Sequence, residues 1–181
     1  MVSPNIMVYF FIGIWVIMPA YFANAFAPLS RGKMRIDGGR KMFGKDIFGA
    51  GKTWEGFFLG VVAGTLFGVF EILIYPYLNV VAVSYGIQLP ELSLISVFFI
   101  SLGAMIGDLA GSFIKRRIGI ERGESAPLLD QLDFVFGAFF FALIFIKVPA
   151  ASILLIIIFT PLVHLISCAI GYKLGVKKVP W

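Results

Sequence analysis

Residues 107–133 read GDLAGSFIKRRIGIERGESAPLLDQLD. The stretch joins two strongly apolar runs. It gathers Asp108, Asp130 and Asp133 with four fixed cations, Lys115, Arg116, Arg117 and Arg122, where both runs reach one face of a membrane. Carboxylates beside a basic connection suit divalent-metal and polyphosphate chemistry, because hard cations take oxygen ligands and often share them with phosphates.

The rest of the 181-residue chain is apolar: 60% of residues are hydrophobic, mean hydropathy is +0.97, and charged residues make up 14%. A soluble domain carries about 25% charge. Five runs, 6–26, 57–78, 92–113, 132–148 and 153–174, approach the roughly 20 residues a helix needs to cross a bilayer. Lipid offers no hydrogen bonds to the backbone, so helices are the default, and continuous runs argue against the alternation of a β-barrel. The fourth run is short and has an alternative start near Pro127. The first run lacks a positive leading segment and is too long for a signal peptide, so it reads as a retained span. The expectation is an all-α integral membrane protein, one domain over 1–181, with five transmembrane helices.

Of the fifteen Lys and Arg residues, fourteen fall in the connection 27–54, the connection after the third run, or the tail; only Lys147 lies elsewhere. The positive-inside rule then puts both long loops and the C-terminus in the cytoplasm and the N-terminus outside. An odd span count requires the same arrangement. The expected location is the cell membrane, with a polar site built from the two cytoplasmic loops. The lone Cys168 argues against a disulfide or thiolate site.

Asp108, Ser112 and Lys115 share one helical face, with Arg116 beside them. Asp108 lies roughly 10 Å inward from Lys115. A charge at that depth costs on the order of 2.5–3.5 kcal/mol unless a cation offsets it. A metal ion or a helix-end cation would serve, and the second is the structural alternative. Asp130 and Asp133 also suit the first turn of a helix. With Asp108 they form a candidate set for one or two Mg²⁺ ions.

Residues 44–56, GKDIFGAGKTWEG, form a second candidate. GAGKT looks like the end of a P-loop, but the pattern's first glycine would fall on Asp46 and no buried strand precedes it, so a P-loop is rejected. What remains is a glycine-rich cationic turn entering a helix, where Gly51, Lys52 and Thr53 can meet an anion. A lipid-headgroup-binding loop is the alternative. Asn24 could contact a nucleotide or serve as helix–helix glue. Glu71 and His164 read as a structural pair. Nothing points to nucleic acid as a partner, and oligomeric state stays open.

Ser112, Lys115-Arg116, Glu121-Arg122, Pro127 and Asp130–Asp133, with Asp108, resemble the signature of the membrane CTP-transferases, the family that includes CDP-diacylglycerol synthases. Two departures stand out: Glu121-Arg122 replaces a Lys-Asp pair, and a His-Gly-Gly insert is absent. The small archaeal branch, the CDP-archaeol synthases, is similar over essentially the whole chain, including PAYFANAFAP, the turn at Arg35–Gly38 and GKTWEG. The resemblance implies transfer of CMP from CTP to an archaeal ether-lipid phosphate, 2,3-bis-geranylgeranylglyceryl phosphate, with Mg²⁺ and release of pyrophosphate. In that reading Asp108, Asp130 and Asp133 hold Mg²⁺, while Gly51, Lys52 and Thr53 hold the triphosphate. Lys115 and Arg116 face the reacting phosphates, Arg122 lies nearer the lipid phosphate, and Asn24 and Asp46 help place the nucleotide. A non-enzymatic transporter or channel is the competing class; it predicts polar residues through the membrane depth rather than at one edge. The motifs of CDP-alcohol phosphotransferases and prenyltransferases are absent from the sequence.

Overall fold

The computed structural model describes residues 5–121, 124 and 126–173, except for the side chains of 164, 167–171 and 173. Five long helices dominate: α1 Ile6–Phe26, α2 Trp54–Ser84, α3 Leu94–Ile118, α4 Leu129–Phe145 and α5 Ala150–Lys173. α1, extended by the 3₁₀ turn Ala27–Ser30, is long and apolar enough to cross a membrane, as are α2 and α3. α4 has 17 residues, a length of about 26 Å at the helical rise, slightly under a bilayer's hydrocarbon thickness. α5 carries an apolar stretch over Ala150–Val163.

α1 occupies the residues its hydropathy predicts. The others differ at their ends. α2 starts three residues early, because Thr53 caps it by accepting from Gly56 N–H at 3.2 Å. It also runs two turns past Pro76, where exposed Tyr77 and Val80 show a lipid- or solvent-facing end. α3 opens on a reciprocal Ser93–Ser96 capping box and closes on Gly119 at φ 92°. α4 starts at Leu129, nearer the alternative start than residue 132, so Asp130 and Asp133 sit inside its first turns. Its N-cap is Leu128 rather than an aspartate. Asp130 instead reaches back and accepts from Ala126 N–H at 3.0 Å.

Glycines repeating every fourth residue set the packing. Along α2, Gly56, Gly60 and Gly64 lie against carbonyl oxygens of Ala27, Ala23 and Pro19 on α1 and its 3₁₀ extension, while Gly68 lies against Val97 of α3. Along α3, Gly103 and Gly107 meet the backbone of Gly137 and Asp133 on α4. Small residues at that spacing let backbones approach closely, the usual basis of helix association in lipid. Val16, Ile17, Ala20, Val97, Ile100 and Val135 fill the centre and are fully buried, whereas Leu66, Leu73, Phe140 and Ile158 face outward.

The connection between α1 and α2 is folded rather than open. It holds a two-strand antiparallel hairpin, β1 Lys41–Met42 and β2 Lys45–Asp46, and a bridge between Arg35 and Thr53.

Candidate active site

The first connection is organised around Asp37, 5% exposed. Its carboxylate accepts from Arg35 Nε at 2.9 Å and from the N–H groups of Gly39 at 2.9 Å, Gly49 at 3.0 Å and Phe48 at 3.2 Å. Burial alone would raise the pKa of such a carboxyl. The Arg35 guanidinium and the three N–H donors outweigh it and hold Asp37 well below the usual carboxylate range. Arg35 also pairs with Asp46 at 2.9 Å, so Asp46 is bound within the loop. Sequence reasoning missed Asp37, because an acid in a basic connection looks like a solvated charge.

This knot fixes Lys52. Gly49, held by Asp37, accepts from Lys52 N–H at 3.1 Å, and Lys52 C=O accepts from Ile36 N–H at 3.0 Å. Glu55 accepts from Lys33 and Met34 N–H at 3.1 Å and tightens the same turn. The Lys52 ammonium then reaches α3 and donates to both carboxylate oxygens of Asp108 at 2.6 Å. The lysine side chain is 26% exposed and the aspartate 18%. The two stretches singled out in the sequence therefore meet through one ion pair.

The second carboxylate site lies where α3 faces α4. Lys115 pairs with Asp130. Asp133 packs on Gly111: a Cβ there would collide with the Asp133 carboxylate. Asp133 is within electrostatic reach of Asp108, Lys52 and Asp130. Its Oδ1 accepts from Phe134 N–H at 2.6 Å. Ser112 is buried one residue beyond Gly111.

Among the described residues, no three Asp, Glu, His or Cys side chains stand together as a ready metal cage. Asp108 and Asp130 each carry a lysine partner instead. The donor set is nonetheless all oxygen, from two facing helices, which fits a hard cation that retains water and phosphate ligands.

The remaining candidate residues take the following places. Arg116 is bound to carbonyls, donating to Ile120 O and to Phe48 O at 3.5 Å, with its guanidinium beside Gly49. Its observed role is to hold the loop onto α3. Arg117 does the same, donating to Met42 O, Lys45 O and Asp46 O while lying 5.2 Å from the Phe113 ring centre. The Thr53 hydroxyl oxygen is engaged as a helix cap. Gly51 is open, with no atom where a Cβ would go. Asn24 is half-buried two residues before the end of α1. Arg122 and the His164 side chain lie outside the described residues. Glu71 is buried in α2, and one of its carboxyl oxygens has no partner among the described residues.

Apolar helices that carry paired acids and lysines at one mouth, under a tied-down basic loop, define a multi-pass membrane enzyme. A solved structure described as "Structural insight into an intramembrane enzyme for archaeal membrane lipids biosynthesis" matches with a TM-score of 0.73 and 35% identity, covering 85% of this chain and 90% of that one. The CarS-like family, described as CDP-archaeol synthase, matches residues 5–181. Among curated relatives, the CDP-archaeol synthase of Methanocaldococcus jannaschii is 43% identical over 94% of this chain and 97% of its own length. That of Thermococcus gammatolerans is 45% identical over 94% and 96%. The chain belongs to the CDP-archaeol synthase family.

Proposed function

We propose that this chain makes CDP-archaeol from CTP and an ether-lipid phosphate, using the Lys52–Asp108 junction as its reaction centre. The observation that carries this reading is the ion pair itself, which sets the glycine-rich basic turn directly against the carboxylate helix. A transporter has no need of that arrangement at one rim.

The lipid phosphate is already ionised at neutral pH and is the nucleophile. One of its oxygens attacks the α-phosphorus of CTP, the bond from that phosphorus to the bridging oxygen breaks, and pyrophosphate leaves. No protein base or covalent intermediate is required. The difficulty is repulsion between two polyanions, which fixed cations and positioned donors lower. Lys52 and the Gly51–Thr53 turn take the triphosphate, and Lys115 takes the charge on the reacting phosphate. Arg122 serves the lipid phosphate, and Asn24 and Asp46 border the nucleotide. Asp108, Asp130 and Asp133 would hold Mg²⁺, which would supply positive charge against the phosphate oxygens. Lys52 and Lys115 neutralise two of those acids, and both ammonium groups would be free to turn toward phosphate if a cation took over the carboxylates.

The full arrangement is one transmembrane domain over 1–181 with five spans, the N-terminus outside, and both basic loops and the active site facing the cytoplasm of a multi-pass cell-membrane protein. The positive-inside bias supports that orientation. Radiolabelled CTP incubated with lipid phosphate and Mg²⁺ should give labelled CDP-lipid, and EDTA should stop it. Nucleotide-independent solute flux without incorporation would return the transporter reading.

A further inference from the structure

The hairpin turn holds an unusual residue. Phe43 has φ 52° and Gly44 φ 78°, so both central positions are left-handed, the pattern of a type I′ turn that asparagine or aspartate followed by glycine ordinarily fills. A bulky aromatic residue there is an outlier. It is also 87% exposed, beside exposed Met42, and makes no aromatic pairing among those described for the chain. The fold thus keeps a large apolar side chain in an unfavourable backbone conformation, mostly uncovered by the described residues. Strand pairing and Arg117 fix the backbone of this turn, but a bulky apolar residue kept in a left-handed conformation at an exposed tip points to a contact outside the chain.

The position of the hairpin says which contact. Arg117, in the last turn of α3, donates to the carbonyls of Met42, Lys45 and Asp46. The Lys45 ammonium lies beside Gly119. The tip is therefore tied to the C-terminal end of α3, whose last turns also carry the outward-facing Ile114 and Ile118. Arg40, Lys41 and Lys45 surround the apolar pair and are exposed. An apolar tip ringed by cations at a helix exit is complementary to an anionic lipid surface, with acyl chains below and phosphates at the rim.

We propose that the β1–β2 tip is an interfacial anchor: Phe43 and Met42 enter the bilayer, and Arg40, Lys41 and Lys45 engage the phosphates of anionic lipids. The first loop then lies on the membrane surface instead of projecting into water, and its attachment through Arg117 holds the catalytic turn close to where lipid substrates reside.

The test needs no nucleotide, so it stands apart from the reaction assignment. A Phe43→Cys, Cys168→Ser protein carrying a nitroxide at position 43 is reconstituted in nanodiscs of phosphatidylcholine with or without phosphatidylglycerol. Oxygen and a water-soluble nickel chelate then compete to relax the label. The expected result is a several-fold preference for oxygen over nickel in the anionic discs, weakened in pure phosphatidylcholine and by Arg40→Glu with Lys41→Glu. Gel filtration of each variant as a single species verifies folding. A label equally open to nickel in both discs overturns the proposal. So does shielding from both quenchers, the mark of a contact with a second copy, and so does an oxygen preference seen only after lipid phosphate is added.

Discussion

Substituting Gly111 with alanine would separate the role of Asp133 from the stability of the bundle. A Cβ at position 111 would meet the Oδ2, Cβ and Cγ atoms of Asp133. Overpacking of that kind costs about 1–3 kcal/mol, while replacing a helical glycine with alanine returns about 1 kcal/mol. The net loss of stability should be about 0–2 kcal/mol. Catalysis should suffer more, because a displacement of about 1 Å at a reacting centre costs on the order of 100-fold. The assay pairs CMP transfer in detergent micelles with thermal unfolding of the same preparation. Gly111→Ala should unfold nearly as the parent does and turn over about 100-fold more slowly. In an Asp133→Ala background the clashes with Oδ2 and Cγ go while that with Cβ stays, so the added methyl should destabilise less, a coupling of about 0.5–3 kcal/mol in the double-mutant cycle. Wild-type turnover in Gly111→Ala, or additive stability effects, would refute the placement of Asp133 at the centre.

Other outcomes follow from the same geometry. Asn at position 108, 130 or 133 should abolish CMP transfer while the protein still purifies folded, and near-normal turnover by Asp133→Asn would remove it from the metal set. Lys52→Met should raise the KM for CTP; because Asp108 loses its counter-charge, it should also tighten Mn²⁺ binding without nucleotide, as read by the loss of free-ion EPR signal. Gly51→Ala should leave stability unchanged, since nothing occupies the Cβ position, yet raise the KM for CTP if the turn wraps a phosphate. Asp37 is depressed in the folded state, so its contribution is complete above the unfolded value of about 3.9 and fades only as pH falls below it toward the folded one. Limited proteolysis of residues 30–50 should therefore stay slow at pH 5 and rise only in stronger acid. Asp37→Asn, at a cost of about 1.5–3 kcal/mol for its charged hydrogen bonds, should be cleaved readily at neutral pH.

Hydropathy carried most of the fold. The bounds of α1 were readable because lipid solvation selects on composition alone. The end of α2 was not, because the apolar run closes at 78 while the helix continues to Ser84, with Pro76 tolerated inside it. The three acids and the glycine-rich turn were visible as chemistry, but their connection through Lys52 and Asp108 was not: residues 56 apart carry no local pattern that pairs them. The hairpin escaped notice because strands of two residues have no periodicity. The partners of the basic side chains were hidden for a related reason. Arg116 looked available to phosphate, and only the folded loop reveals the carbonyls it serves. The glycine repeats were present in the letters, yet which helix each would face depends on packing.

The acid–lysine pairing also bears on how the chain enters a membrane. Lys52 and Asp108 belong to segments made at different moments of synthesis, and the charge of Asp108, on a spanning helix, is costly to bury alone. Once joined they form a neutral unit, so the completed bundle can wait in the bilayer without ions. The pair is complete only once the first loop has closed over α3.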